Sequence, residues 1–135
     1  MSWAQSLIKL SGYEVEVLQK RLAEIAAKRM RAEMALVLLE AEGEAEALHL
    51  RHEPDAGWYT AGFLAGLRLR KAHAQIEIDR VGLEEAGARD ALAEAFETQK
   101  KYEQVAEAQA LARRKDLARR ETAELDELGL RRARG

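Results

Sequence analysis

Pro54 is the only proline in the 135-residue chain, and on both sides of it apolar residues recur at alternating steps of three and four. Before it the series runs Val15, Leu18, Leu22, Ile25, Ala32, Leu36 and Leu39, with Arg29 the one miss. After it Leu64, Leu67, Ala74, Ile78, Val81, Ala88, Leu92, Ala95, Tyr102 and Ala106 keep the cadence, interrupted by Lys71, Glu85 and Gln99. Sustained three-four spacing is the heptad signature, in which each apolar knob sits between four residues of a facing helix. The stretch Arg51 to Gly57 supplies the reversal that brings two such helices face to face. Proline disfavours helical dihedrals in its predecessor, and Gly57 offers a positive φ. The expected fold is therefore all-α, an antiparallel two-helix coiled-coil hairpin making one domain of residues 1–135. Helix one is expected over about 3–50, the turn over 51–57 and helix two over about 58–132.

Composition narrows the alternatives. Ala, Leu, Glu, Lys and Arg account for 86 of the 135 residues, and 26 of the apolar residues are alanine. That leaves enough large apolar side chains for a seam and too few for a thick core. With aromatics at 5%, a Rossmann domain, a sandwich and a deep-pocket enzyme are poor fits. The absence of cysteine removes disulfides, thiolate zinc sites and cysteine nucleophiles, and it suits a reducing compartment. The opening MSWAQSLIKL has no basic region ahead of an apolar stretch, so it does not read as a signal peptide. The longest apolar run, Met34 to Leu39, is far short of the ~18–20 residues that span a bilayer. The expectation is a soluble, cytoplasmic helical protein.

The two arms are unequal. At 1.5 Å per residue they would measure roughly 70 Å and 110 Å, leaving about 25 residues of helix two beyond its partner. A lone helix of that length is marginal in water unless something packs on it. The overhang also differs in charge. Residues 111–135 carry eight bases (Arg113, Arg114, Lys115, Arg119, Arg120, Arg131, Arg132, Arg134) against five acids. Such charges can form a solvated face with i,i+4 pairs such as Asp116–Arg120, or an electrostatic docking surface. Leu111, Leu117, Leu125, Leu128 and Leu130 would supply apolar anchors beside them.

No arrangement of residues reads as catalytic. His49 and His52, at i,i+3, have no third obvious metal ligand, and they read as solvated. Glu40, Glu42, Glu44 and Glu46 fan around a helix instead of converging. A di-iron site needs four inward-facing helices, and only Glu46-His49 has the Glu-x-x-His spacing. Neither a phosphate-binding glycine loop nor a nucleophile elbow occurs. The expectation is a non-enzyme without metal or cofactor. Nucleic-acid binding is also disfavoured, because the tail arginines alternate with acids and lack an aromatic platform. More informative is the region after the turn, where Gly57, Gly62 and Gly66 surround Phe63 beside Trp58 and Tyr59, with Gly82 and Gly87 further on. Aromatics at an end where the seam thins suggest a contact site.

Three stretches carry a family resemblance. The first is Ser6-Leu7-Ile8-Lys9-Leu10, continuing through Val17-Leu18-Gln19-Lys20-Arg21-Leu22-Ala23-Glu24-Ile25. The second is Phe63-Leu64-Ala65-Gly66-Leu67. The third joins Ala91-Leu92-Ala93-Glu94-Ala95-Phe96-Glu97 to Glu121-Thr122-Ala123-Glu124-Leu125-Asp126-Glu127-Leu128. In order and spacing they resemble the FliJ family of the bacterial flagellar type III export apparatus. The resemblance implies a hairpin similar to the γ subunit of rotary F-type ATPases, whose paired terminal end enters the ring of the export ATPase FliI and promotes its assembly and coupling. Leu7, Leu10, Leu111, Arg113, Arg114, Leu117, Arg120 and Leu125 would then face the ATPase. It further implies contact with the export gate protein FlhA, a role with export chaperones, and a place at the cytoplasmic face of the inner membrane at the flagellar base. Membrane association would come only through the apparatus. Of the family's gate-contact pattern Phe63 and Leu67 match, whereas Arg70 and Ala74 stand where it has Ala and His. The related stalks of virulence-type secretion systems share the hairpin, and a passive coiled-coil adaptor or scaffold that dimerises is the alternative of a different class.

Overall fold

Heptad spacing on both sides of one break produces two long helices. The computed structural model describes residues 2–135. Helix α1 spans Trp3–His52, a short 3-10 helix covers Pro54–Tyr59, and helix α2 spans Thr60–Arg134. These elements form an all-α helical hairpin, with no strand among the described residues. The chain divides into two compact units, Glu16–Leu92 and the pairing of Met1–Val15 with Ala93–Gly135.

The first unit contains the turn. Glu53, the residue before Pro54, leaves the helical region at φ −133° and ψ 77°, as the proline ring demands of its predecessor. The Ala56 N–H then donates to the Glu53 carbonyl at 3.1 Å, closing a 3-10 turn with Pro54 at its start. The expected positive φ at Gly57 does not occur, since no described residue has one. Pro54 already holds a right-handed φ and Glu53 makes the bend, so no left-handed residue is required. For the same reason the break starts later than residue 51 and lasts through Tyr59. At this end the Tyr59 hydroxyl donates to the Glu46 carboxylate, which holds the phenol pKa above its usual value.

Along the unit the seam is narrow. Ile25, Val81 and Ala88 form its buried cluster, with Leu22 packed against it. Leu67 is also buried, whereas Leu64, expected in the seam, is exposed and Phe63 turns partly inward instead. The two polar interruptions, Arg29 and Glu85, face each other. Glu85 is 3% exposed and takes hydrogen bonds from Arg29 Nε and, at 2.6 Å, from Arg89. Arg29 also pairs with Glu33 at 3.0 Å, and hydrogen bonding to Glu85 is the main reason its pKa stands above the ordinary arginine value. On the flanks Lys28 meets Glu84 at 3.7 Å, and Arg70 reaches Glu42 through both terminal nitrogens at 3.3 and 3.2 Å. Lys71, the next interruption, lies over Gly43, where a Cβ would come within 2.8 Å of Leu67 Cδ2.

The second unit pairs the start of α1 with the later part of α2. Ser2 and Gln5 cap α1 reciprocally: each side chain accepts from the other's backbone N–H at 3.3 Å, the capping-box arrangement that satisfies helix-end donors. Ala4, Ser11, Val15 and Ala95 are buried, and the Ser11 hydroxyl satisfies itself on the Ile8 carbonyl at 2.8 Å. Gln99, the third interruption, lies against Gly12, whose missing side chain leaves it space. Beyond Gln109 every side chain of α2 is exposed.

Two outcomes follow for stability. Replacing Arg29 by leucine leaves buried Glu85 with Arg89 alone, and replacing Glu85 leaves Arg29 with Glu33 alone. Each lowers the thermal midpoint followed by circular dichroism, Arg29→Leu more because Glu85 is the more buried partner. The Arg29→Leu, Glu85→Leu double variant recovers the loss, since well-packed apolar residues replace a buried ion pair at little or no cost. Gly62→Ala and Gly87→Ala, where a Cβ meets nothing within 4 Å, each raise stability by about 0.5–1 kcal/mol. Gly43→Ala lowers it instead, because Leu67 has to leave its place.

Candidate functional site

The residues expected to bind partners occupy two regions. Around the turn, Trp58 is 86% exposed and stands edge-on to Tyr59, with ring centroids 5.4 Å apart at 81°. Phe63 is half-buried one turn into α2. Leu67 is not a surface residue: at 4% exposure it belongs to the seam, held over Gly43. Its three-four spacing already placed it there, and only Phe63 of the pair offers surface to a partner. Arg70 is engaged by Glu42 across the hairpin, and Ala74 is half-buried.

The second region is the end of α2. Leu111, Leu117 and Leu125 are exposed, as are Arg113, Arg114 and Arg120. At about 100° per residue, Leu111, Leu117, Leu125 and Leu128 fall within roughly 120° of the helix circumference, the width of an apolar face that normally packs on something. Arg120 pairs with Asp116 at 3.1 Å and Arg131 with Glu127 at 3.1 Å, both i,i+4 pairs on the solvated surface. Arg113, Arg114, Lys115 and Arg119 take part in no ion pair among the described residues. On α1, Leu7 is half-buried and Leu10 is exposed. The arrangement can bind a surface that presents an apolar groove with acidic edges.

His49 stands 4.0 Å from Glu53, and among the described residues no three His, Asp or Glu side chains gather as a metal-holding group. No described helix is long and apolar enough to cross a membrane.

One feature escaped the heptad reading. Leu69, Ile76 and Leu83 are all strongly exposed at seven-residue spacing on α2, and Met30, Met34 and Val37 are exposed on α1. Their seven-residue repeat was the available signal, but the stronger inner seam of the same period masks it.

Comparison with known proteins gives the chain its relatives. It is 53% identical over 131 residues to a "Flagellar FliJ protein" of Caulobacter vibrioides strain NA1000, covering 97% of this chain and 94% of that protein. The same identity and coverage hold for the "Flagellar FliJ protein" of a second Caulobacter vibrioides strain. No protein-family model matches the chain, and no solved structure does. Identity at that level across nearly the whole of both chains means that this chain belongs to the flagellar FliJ family.

Proposed function

We propose that the chain is a non-enzymatic component of the flagellar type III export apparatus, acting as central stalk and activator of the export ATPase ring and linking it to the export gate. Membership in the FliJ family supports the flagellar part of this reading. The observation that carries the stalk part is the end of α2, a continuous helix whose side chains are all exposed beyond Gln109. Leucines on one arc and unpaired arginines beside them suit insertion into a protein ring: charge steers the approach and apolar burial holds the complex. An asymmetric stalk acts by favouring one subunit conformation over another at each position around the ring. Leu7 and Leu10 would extend that contact on α1.

The gate link is assigned to the turn end, with Phe63 as the contact to FlhA and Leu67 as the seam residue that positions it. Export chaperones are a further partner class. On this reading the protein works in the cytoplasm at the flagellar base and reaches the membrane only through the apparatus, with no cofactor and no nucleic acid.

The decisive assay is the hydrolysis rate and hexamer population of FliI with and without this protein at low stoichiometry. Both rise with the intact chain, and deletion of residues 111–135 abolishes the effect while the circular dichroism of the remaining hairpin stays helical. Arg113→Ala with Arg114→Ala weakens ATPase binding by about tenfold, equivalent to about 1.4 kcal/mol. No change in rate or assembly on adding the intact chain would favour a passive adaptor. At the other end, Phe63→Ala lowers FlhA affinity and costs less stability than Leu67→Ala, because Phe63 is only half-buried. Leu67→Ala costs about 2–4 kcal/mol of stability as a core truncation. If Phe63→Ala leaves FlhA binding intact, the gate contact lies elsewhere.

A further inference from the structure

A groove opens on the flank of the hairpin beside Gly43. It has a volume of about 470 Å³. Gly43 and Ala47 of α1 and Leu64 and Leu67 of α2 line its apolar part, with Glu40, Glu44 and Lys71 at its edges. The place a Gly43 side chain would take is already held by Leu67 Cδ2, with Lys71 Nζ beside it, so a guest side chain lies outside them, toward Glu40 and Glu44. Leu64 remains 43% exposed along it. Glu40 and Glu44 make no ion pair and no side-chain hydrogen bond among the described residues, although Glu42, between them in sequence, is engaged by Arg70. They belong to a stretch, residues 32–48, that holds five acids and no base.

The occupant such a groove fits is a helix presenting one large apolar side chain between two bases. Four segments of this chain combine leucine with clustered bases, and in one of them, residues 128–134, Glu124 and Asp126 stand one turn before Leu128 and Leu130, so neither leucine lies between two bases. In Lys20-Arg21-Leu22 the leucine is packed on the core cluster. In Leu67-Arg68-Leu69-Arg70-Lys71, Leu67 and Lys71 line the groove and Arg70 is engaged by Glu42, while the exposed Leu69 has no lysine or arginine three or four residues away on either side. The remaining segment, residues 111–120, has five bases against one acid, and Leu117 is 55% exposed. There Arg113, Leu117 and Arg120 stand at i, i+4 and i+7, on one helix face. That face is the charge complement of Glu40, Gly43, Glu44 and Ala47, which share one face of α1 by the same spacing. Leu67 and Leu117 lie in the same unbroken helix, Thr60–Arg134, so this tail can enter the groove only of another molecule.

We propose that the groove over Gly43 seats the basic tail helix of a second copy of this chain, with Leu117 entering between Glu40 and Glu44. The contact is polar at its rim, reversible and weakened by salt. It stands apart from the stalk reading, because the chain alone forms it. If that reading also holds, the self-contact covers Leu117 and Arg113 and competes with ATPase binding.

Sedimentation velocity of the full chain across a concentration series tests it. Self-association is expected at low ionic strength and is lost as salt approaches ~1 M, where the screening length falls to about 3 Å. The Glu40→Arg, Glu44→Arg variant and the Arg113→Glu, Arg120→Glu variant each sediment as helical monomers, and mixing the two restores association. Because the chain has no cysteine, Glu44→Cys and Leu117→Cys molecules can be mixed and oxidised. The mixed disulfide then exceeds either self-pairing. A chain that stays monomeric at all concentrations, association indifferent to both charge reversals, or cross-linking with no preference for the mixed pair would each overturn the proposal. None of these readouts involves the ATPase, so a failure here leaves the stalk reading to its own assay.

Discussion

Arg29 and Glu85 meet across the narrow seam of the turn-containing unit, and the pairing of the two helices there depends on their meeting. An antiparallel seam built from alanine, valine, leucine and isoleucine has little to distinguish one register from another a heptad away. A slip of that kind would keep most apolar contacts but would take the Arg29 guanidinium away from the nearly fully buried Glu85 carboxylate, leaving it Arg89 alone. Losing the cross-helix partner of a buried carboxylate costs more than the few methyl groups gained or lost, so the pair acts on specificity more than on stability. The flanking pairs Lys28–Glu84 and Arg70–Glu42 agree with the same register, each at modest worth because their side chains are solvated.

Lys71, Glu85 and Gln99 fall two heptads apart on α2, and each interruption has its own accommodation. Glu85 has a charged partner, while Lys71 and Gln99 lie against glycine. Interruptions that would be defects in a thick core are tolerable in a two-helix seam, where even a side chain as buried as Glu85 reaches a partner on the exposed flank, Arg89. The same thinness leaves grooves on the flanks, one of them beside Gly43.

The hairpin was legible because a three-four repeat and a single proline are both local signals with one reading. The interruptions were legible as positions, but what each one meets was not, since Arg29 and Glu85 are far apart in the chain and only the register brings them together. Pro54 makes the reversal legible, but its details are not: the residue before the proline makes the bend without a positive φ at Gly57, and the 3-10 turn carries the chain onward. Leu67 shows where family resemblance and periodicity point different ways. A motif match made it a contact residue, while the heptad made it core, and burial follows the heptad. At the start of α2 the cadence departs from burial, with Leu64 exposed and Phe63 half-buried although Leu67 is in the seam.

The unpaired end of α2 follows from arithmetic on two unequal helices, and its chemistry follows from where the bases are placed. A helix without a tertiary partner loses the packing that ordinarily stabilises it, and its leucines stay in water at a cost proportional to their apolar area. Selection for stability alone would shorten such a segment or make its surface polar. Retaining an arc of leucines beside unpaired arginines is consistent with a segment whose apolar face is covered in an assembly. A ring of ATPase subunits and the flank of another hairpin would both meet that requirement through the same leucines and arginines. The tail would then distribute between them according to their relative affinities and concentrations, so that a modest differential in binding free energy would decide how much of it is available to the ring.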